Sequence, residues 1–309
     1  MNTTFLMLIR REIWEHKSLW IAPLIWVGLI TIFFNWGMLH VPDDMHSSIH
    51  IDGQSEQLRE SMNLPADRKE SVFAVSFLAI FGMISVFMTI VVFFYLIDCL
   101  YTERKDRSIL FWKSLPVSDA NVVLSKLAVA MVVVPIGVIL LSAVTQLVNF
   151  LTVSLILHGS TFGNIMPDWS FGAWLRSQAV ALGMMLGGVL WYAPIAGYLL
   201  LLSTWAKNKV FLWAILPPIA VPVLEKVFLG SDHVLDFLGQ RFSGYIVLMK
   251  VDPNAFEAGN HDRLPAVNDV YNAFHLSNMF MSTEMWIGVA AAAAMVFVTI
   301  RIRRYRDDT

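Results

Sequence analysis

One group of residues has the types and spacing of metal ligands: Asp43, His46 and His50 would share one face of a helix. No fourth ligand is identifiable nearby, and the other histidines are scattered along the chain. The single cysteine, Cys99, excludes an internal disulfide and a cysteine-based metal cluster. We therefore expect the polar, acidic residues 41–70 to form a solvated loop, and we expect no metal or cofactor in this chain.

Catalytic motifs are absent from the sequence as well. It contains no G-x-x-x-x-G-K-[ST] phosphate-binding loop, no G-x-S-x-G and no H-E-x-x-H. Three ionisable residues that could lie near a membrane face, Asp98, His158 and Glu225, are isolated in the sequence. This chain is therefore not expected to be an enzyme by itself, and any ATP hydrolysis is expected in another protein.

The composition is that of a polytopic membrane protein. Hydrophobic residues make up 57% of the 309 residues, charged residues only 15%, and the mean hydropathy is +0.61. Six apolar stretches are long enough to cross a bilayer or nearly so. They predict an all-α fold, a single transmembrane domain over residues 1–309, with these spans: 19–39, 71–97, 122–157, 174–205, 210–229 and 286–300.

An amphipathic helix is expected before the first span, over residues 1–18. Such a helix lies along the membrane surface, with its apolar face in the lipid and its charged face in water. The apolar face is predicted to hold Phe5, Leu8, Ile9 and Trp14. The charged face is predicted to hold Arg10, Arg11, Glu12, Glu15 and Lys17.

The third and fourth predicted spans have unusual features. Between residues 122 and 157 the only charge is Lys126, and Pro135 predicts a kink in one long helix. In the fourth span, Gly183 and Gly187 have the small-xxx-small spacing that allows helix backbones to approach closely. This spacing fits packing within one subunit and dimerisation equally well.

The fifth predicted span contains Pro217, Pro218 and Pro222. We expect this helix to be broken or sharply kinked, and to face the protein interior or a transport pathway, where the freed backbone groups find partners. Phe77 and Phe81 of the second span complete the pathway candidates. Residues 230–283, between the fifth and sixth spans, are expected to form an extracytoplasmic segment of loops and short helices.

A charged loop, residues 98–121, separates the second and third spans, and it carries a cluster of bulky apolar residues. Such a cluster is costly in water unless another surface covers it, so we expect a partner to dock here. The alternative is that these side chains lie in the lipid headgroup layer. A short helix from about residue 101 to residue 113 is expected, with Ser118 or Asp119 capping the third span.

Basic residues predict the orientation. If both termini are cytoplasmic, most of the 22 lysines and arginines lie on the cytoplasmic side, as the positive-inside rule requires. The charged loop is then cytoplasmic, and residues 41–70 and 230–283 are outside.

The run ERKDRSILFWKSLPVSDANVVLSKL resembles the loop between the second and third spans of type 2 ATP-binding cassette (ABC) transporter permeases. The match is carried by Glu103, Leu115, Pro116, Val117, Ser118 and Lys126. The resemblance implies that the loop is a coupling helix that docks on a separate ATPase. The coupling residues would be Glu103, Arg104, Lys105, Arg107, Ile109, Leu110, Phe111, Trp112, Leu115 and Pro116.

The resemblance also implies the partners and the location. Two permease subunits, identical or different, would sit on two ABC ATPase subunits that bind ATP and Mg²⁺, in contact with membrane lipids and not with nucleic acid. The expected function is export of an apolar or amphipathic substrate across a bacterial inner membrane. Two alternatives remain: a membrane-embedded enzyme, and a membrane anchor that recruits a cytoplasmic partner.

Overall fold

A computed structural model describes residues 3–39, 66–106, 108, 117–157, 170–248, 268, 271 and 276–305. These residues are almost entirely helical and include no strand. Six helices are long and apolar enough to cross a membrane, which confirms the predicted all-α polytopic membrane fold. Residues 107 and 109–116 of the charged loop, and the metal-ligand candidates Asp43, His46 and His50, lie outside the described residues.

The helices follow one another closely along the chain. The first group is α1 (Thr3–Glu15), α2 (Ser18–Leu39), α3 (Ala66–Asp98), α4 (Tyr101–Lys105), α5 (Asp119–Ala128) and α6 (Val134–Leu157). The second group is α7 (Phe171–Trp191), α8 (Ala193–Trp205), α9 (Val210–Leu229), α10 (His233–Leu248), α11 (Leu276–Phe280) and α12 (Thr283–Tyr305).

The bundle is organised around α3, which contacts α2, α6, α7, α8 and α9. Its core-facing residues include Ile84 and Leu96, which, like Leu100 just beyond its end, are almost completely buried in one cluster with residues of neighbouring helices such as Leu19 and Leu200. Phe77 and Phe81, proposed from the sequence as pathway residues, are also buried in α3.

A close helix contact joins α8 to α12. A Cβ placed on Gly197 would lie 3.2 Å from both the Cα and the carbonyl oxygen of Ala292. Ala292 is the middle residue of five consecutive alanines in α12. Small residues on both helices therefore allow their backbones to meet, and this contact holds the last span against the second half of the fourth.

The third and fourth spans differ in their continuity. The third span is continuous, but its backbone widens into a π-helical turn over Val129–Val133, immediately before Pro135. The fourth span was predicted as one helix, but the structure has two: α7 ends at Trp191 and α8 begins at Ala193. The cause is Pro194, which lies in the first turn of α8, where a missing N–H is tolerated.

The fifth span, predicted to be broken or sharply kinked, has no break. The α9 helix runs from Val210 to Leu229 through all three prolines, and most of its surface is exposed in the single chain, so it does not face the interior of this subunit. Pro217 has no N–H to offer the carbonyl of Trp213, four residues earlier. The Tyr198 hydroxyl donates a hydrogen bond of 3.0 Å to that carbonyl instead. A neighbouring helix thus satisfies a group that the proline frees.

Part of the segment 230–283 is helical. Glu225 of α9 accepts hydrogen bonds from the backbone N–H groups of His233 and Val234, so it holds the start of α10. The short α11 places Met279 against Gly187 of α7, where a Cβ on the glycine would overlap the methionine side chain. Gly187 therefore serves packing within this subunit, while Gly183 is partly buried nearby in the same helix.

Candidate functional site: a buried ion network

Four charged side chains from four parts of the chain meet at the end of the bundle that carries the charged loop. Lys126 Nζ lies 2.8 Å from Glu12 Oε1 and 3.0 Å from Glu103 Oε1. Arg303 Nη1 lies 2.8 Å from Glu103 Oε2. Every one of the four residues is at most 6% exposed. We call these residues, Glu12, Glu103, Lys126 and Arg303, the ion network.

The ion network is electrically balanced, with two carboxylates and two cations. Burying one of these charges without a partner would cost several kcal/mol, and a buried pair recovers that cost only with good geometry and further hydrogen bonds. The outer partners supply such contacts. Arg303 Nε pairs with Asp119 Oδ1 at 3.1 Å, and the Tyr95 hydroxyl donates to Glu12 Oε2 at 3.2 Å.

His16 borders the ion network beside Glu12. Its Nε2 atom lies 3.7 Å from Glu12 Oε2, and its ring meets the Tyr95 ring edge-on with centroids 4.8 Å apart. Burial lowers the pKa of His16 below its ordinary value of 6.5, although the Glu12 carboxylate opposes this effect. The imidazole is therefore neutral at pH 7.

The short helix α4 is fixed at this end by a second set of contacts. Arg104 donates to the carbonyl oxygens of Ser203 and Ala206, at 2.6 and 2.8 Å, where α8 ends. The Ser203 hydroxyl oxygen accepts from the N–H groups of Leu100 and Tyr101. A cation at a helix C-terminus is also favoured by the helix dipole. Residues 100–104 are thus tied to the fourth span.

The far side of the charged loop is fixed too. Ser118 is the N-cap of α5, and its side chain accepts a hydrogen bond of 3.2 Å from the N–H of Asn121. This confirms one of the two caps predicted for the third span. The other candidate, Asp119, binds Arg303 of α12 instead. The described residues at both ends of the charged loop are therefore anchored in the bundle.

The predicted coupling residues have different positions. Glu103 lies in the ion network, Arg104 binds the end of α8, and Lys105 is exposed. Asp98 is exposed and accepts a hydrogen bond from Thr102, so it takes no part in the ion network. The remaining coupling residues, Arg107, Ile109, Leu110, Phe111, Trp112, Leu115 and Pro116, lie outside the described residues.

The predicted faces of α1 were partly wrong. Glu12 was assigned to the water-facing side, but it is buried against Lys126, and Leu8, assigned to the same lipid-facing side as Trp14, is 6% exposed whereas Trp14 is 68% exposed. The pair of charges decides the orientation, because Glu12 is the carboxylate that reaches the lysine of the third span. The outward face of α1 carries Leu6, Met7 and Trp14.

Only Glu103 of the ion network was predicted as a site residue; Lys126 was named for the resemblance alone, and Glu12 and Arg303 were not predicted to belong to a site. The signal that pointed to these two was Lys126, the only charge in the predicted third span. An isolated charge in such a run requires a partner, and a partner must come from another helix end. The sequence does not say which of the nearby carboxylates and arginines it will be.

No family model, curated protein or solved structure matches this chain. The chain is a polytopic membrane protein. Its six apolar helices carry that conclusion. Among the described residues no group of histidine, cysteine, aspartate and glutamate side chains could hold a metal ion. The ion network instead joins helices, because each of its members comes from a different helix and each pair fixes two of them together.

Proposed function

We propose that this chain is the permease subunit of a type 2 ABC exporter, and that the charged loop, residues 98–121, transmits the ATPase cycle to the spans. The observation that carries the proposal is the position of Glu103 at the base of the loop. Glu103 pairs at once with Lys126 of the third span and Arg303 of the last span. The residues that resemble the coupling loop of such permeases include both Glu103 and Lys126.

The contacts around the loop support a mechanical role. Through Glu103 the loop is joined to α5 and α12, and through Arg104 to α8. Lys126 also pairs with Glu12, which extends the connection to α1. A force applied to the loop would therefore move the ends of several helices together, since packed helices and buried ion pairs shift as rigid units.

The proposed partner is a separate ATPase that binds ATP and Mg²⁺ and docks on the apolar residues of the loop. An apolar anchor with a charged rim is the usual composition of a protein interface. Ile109, Leu110 and Trp112 would form the anchor, beside Arg104, Lys105 and Arg107. In this arrangement the loop faces the cytoplasm, as do both termini, and the membrane is the inner membrane of a bacterium.

The proposal also includes a second permease subunit. Most of the surface of α9 is apolar and exposed in the single chain, including Phe211, Leu216 and Val223. Lipid or a second subunit can cover such a face within a membrane, and an exporter of this type requires two permeases. Pro217, Pro218 and Pro222 lie on this helix, so these three pathway candidates would be near that subunit.

The decisive experiment is purification of the tagged chain from its native membrane in a mild detergent. Mass spectrometry of the co-purified proteins should identify a soluble ATPase with a phosphate-binding loop, in about equal amount to the chain. Recovery of the chain without any ATPase, from membranes in which the tagged protein is functional, would contradict the proposal. Recovery with a different cytoplasmic protein would favour the membrane-anchor alternative.

A further inference from the structure

Another buried cation, Arg241, lies far from the ion network. Arg241 of α10 is 7% exposed, and its guanidinium group lies over the Trp191 ring of α7 with Cζ 4.7 Å from the ring centroid. The Trp191 indole N–H in turn donates to the Arg241 carbonyl oxygen at 2.8 Å. Tryptophan holds an arginine by attraction between the cation and the ring face, which leaves the N–H donors of the guanidinium available.

Those donors are poorly used within the described part of the chain. Arg241 Nη1 is buried without a hydrogen-bond partner. Nη2 has one distant acceptor, the backbone carbonyl of Glu284 at 3.5 Å. No carboxylate of the described residues forms an ion pair with Arg241, and the side chain of Glu284 is exposed. Arginine offers five donors in a planar fork that matches a carboxylate or phosphate group.

Two glycines give the pair its space. A Cβ on Gly288 of α12 would overlap the Arg241 guanidinium, and a Cβ on Gly244 of α10 would lie 2.8 Å from the Trp191 ring. Any larger residue at either position would displace the cation or the ring. The two glycines thus leave room for the Arg241–Trp191 pair, and α7, α10 and α12 together enclose this pair.

The position of Arg241 along the bundle follows from α12. Gly288, which contacts Arg241, precedes Arg303 by 15 residues in this one helix, which corresponds to ~22 Å at 1.5 Å per residue. The hydrocarbon core of a bilayer is about 30 Å thick. If the ion network marks one edge of the membrane, Arg241 lies at the depth of the opposite leaflet. Ionisable residues at such depth are costly and commonly functional.

We propose that Arg241, held by Trp191, binds a phosphate or carboxylate group carried by an amphipathic molecule. The anionic group would accept hydrogen bonds from the free guanidinium donors, while the apolar part of the molecule contacts the surrounding lipid and helices. Its role as cargo of an exporter rests on the function proposed above, whereas the binding site itself does not. A cargo molecule and a membrane lipid could both provide this chemistry.

The test measures binding to the purified full-length chain, without any ATPase, by native mass spectrometry in dodecyl maltoside. The probes are dodecyl phosphate, dodecanol as its uncharged counterpart, and inorganic phosphate. We expect dodecyl phosphate to bind at least about 10-fold more tightly than dodecanol, because hydrogen bonds to charged groups contribute that much or more. Inorganic phosphate should bind more weakly than dodecyl phosphate.

Two substitutions connect this binding to the site. Arg241→Gln removes the charge and should weaken binding of dodecyl phosphate roughly 10- to 100-fold. Gly288→Ala keeps every charge but displaces the guanidinium, so it should weaken binding too, and it replaces the first variant if Arg241→Gln does not fold. The control is Arg176→Gln, since Arg176 also lies over an aromatic ring, that of Tyr271, but is exposed and bonded to Asn268.

Equal binding by wild type, Arg241→Gln and Gly288→Ala would overturn the site, and so would equal binding of dodecyl phosphate and dodecanol. Binding of inorganic phosphate as tight as that of dodecyl phosphate would overturn the amphipathic ligand. Binding of dodecyl phosphate in nanodiscs with and without phosphatidic acid separates the two sources. If phosphatidic acid competes with dodecyl phosphate, the occupant is a lipid headgroup, and if it does not compete, the occupant is free cargo. An Arg241-dependent site in a chain that recruits no ATPase would stand while the exporter proposal fails.

Discussion

Lys126 Nζ lies 2.8 Å from Glu12 Oε1, although 114 positions separate the two residues in the sequence. This pair joins the helix that precedes the first span to the start of the third. Both residues are 1% exposed, so the pair is removed from solvent. Its importance lies in the position of Lys126, which also pairs with Glu103 at the base of the charged loop.

Lys126→Met should therefore destabilise the protein strongly. The substitution leaves the Glu12 and Glu103 carboxylates buried without the cation between them, and breaking a buried pair in this way costs about 3–5 kcal/mol. The measurement is the free energy of unfolding in a sodium dodecyl sulfate titration. Lys226→Met is the matched control, because Lys226 pairs with Asp232 in an exposed position, and its loss should cost less than about 1 kcal/mol.

The double variant Glu12→Gln/Lys126→Met sharpens the same test. It removes one charge of each sign, and Glu103 keeps its pair with Arg303. More than half of the stability lost in Lys126→Met should return, since the effects of substitutions at interacting residues are not additive. If the two substitutions simply add, the buried carboxylate is not the cause of the loss.

The six spans could be predicted from the sequence because an apolar run of about 20 residues matches the thickness of a bilayer and is rare in soluble proteins. The Ser118 cap was predictable for a similar reason, since it depends only on neighbouring residues. The ion network was not, because its pairs depend on how distant helix ends meet. The sequence also left open whether α9 would be broken or kinked, because the Tyr198 hydroxyl, which satisfies the Trp213 carbonyl, belongs to another helix.

The free energy of unfolding should decrease as the pH is lowered, because of His16. Its pKa is lowered by burial, so between that lowered value and about 6.5 the unfolded chain binds more protons than the folded chain. The free energy of unfolding therefore rises with pH through this window, and the contribution of His16 to stability is lost as pH falls. His16→Phe keeps an aromatic ring against Tyr95 and should make the dependence shallower. An unchanged slope in His16→Phe would contradict the role of His16.

Gly197→Ala should loosen the contact between α8 and α12. The new Cβ would lie 3.2 Å from backbone atoms of Ala292, and a helix backbone cannot yield as a flexible side chain can. We expect a loss of about 1–3 kcal/mol in unfolding free energy. Gly82→Ala is the control, since no atom lies within 4 Å of its Cβ. That variant should gain roughly 0.5–1 kcal/mol from helix propensity, so equal stability of the two variants would contradict the close contact.

The orientation can be tested with single cysteines in a Cys99→Ala background. The distribution of basic residues predicts that Ser55 and Gly259 lie outside and Asn208 in the cytoplasm. Cysteines at Ser55 and Gly259 should react with an impermeant thiol reagent in intact cells, and one at Asn208 should react only after lysis. The reverse pattern would invert the whole topology and place the charged loop outside, away from any ATPase.

The most direct test of the proposed function is the amount of ATPase that co-purifies with Leu110→Asp. Leu110 belongs to the apolar residues of the charged loop, and an unpaired carboxylate buried in an interface costs several kcal/mol, so retention of the ATPase should fall by about 100-fold or more. Asn208→Asp adds a carboxylate to an exposed turn at the same end of the bundle and should retain wild-type amounts. If Leu110→Asp inserts normally, retains the ATPase fully and supports unchanged ATP-dependent transport, the loop does not couple the two proteins.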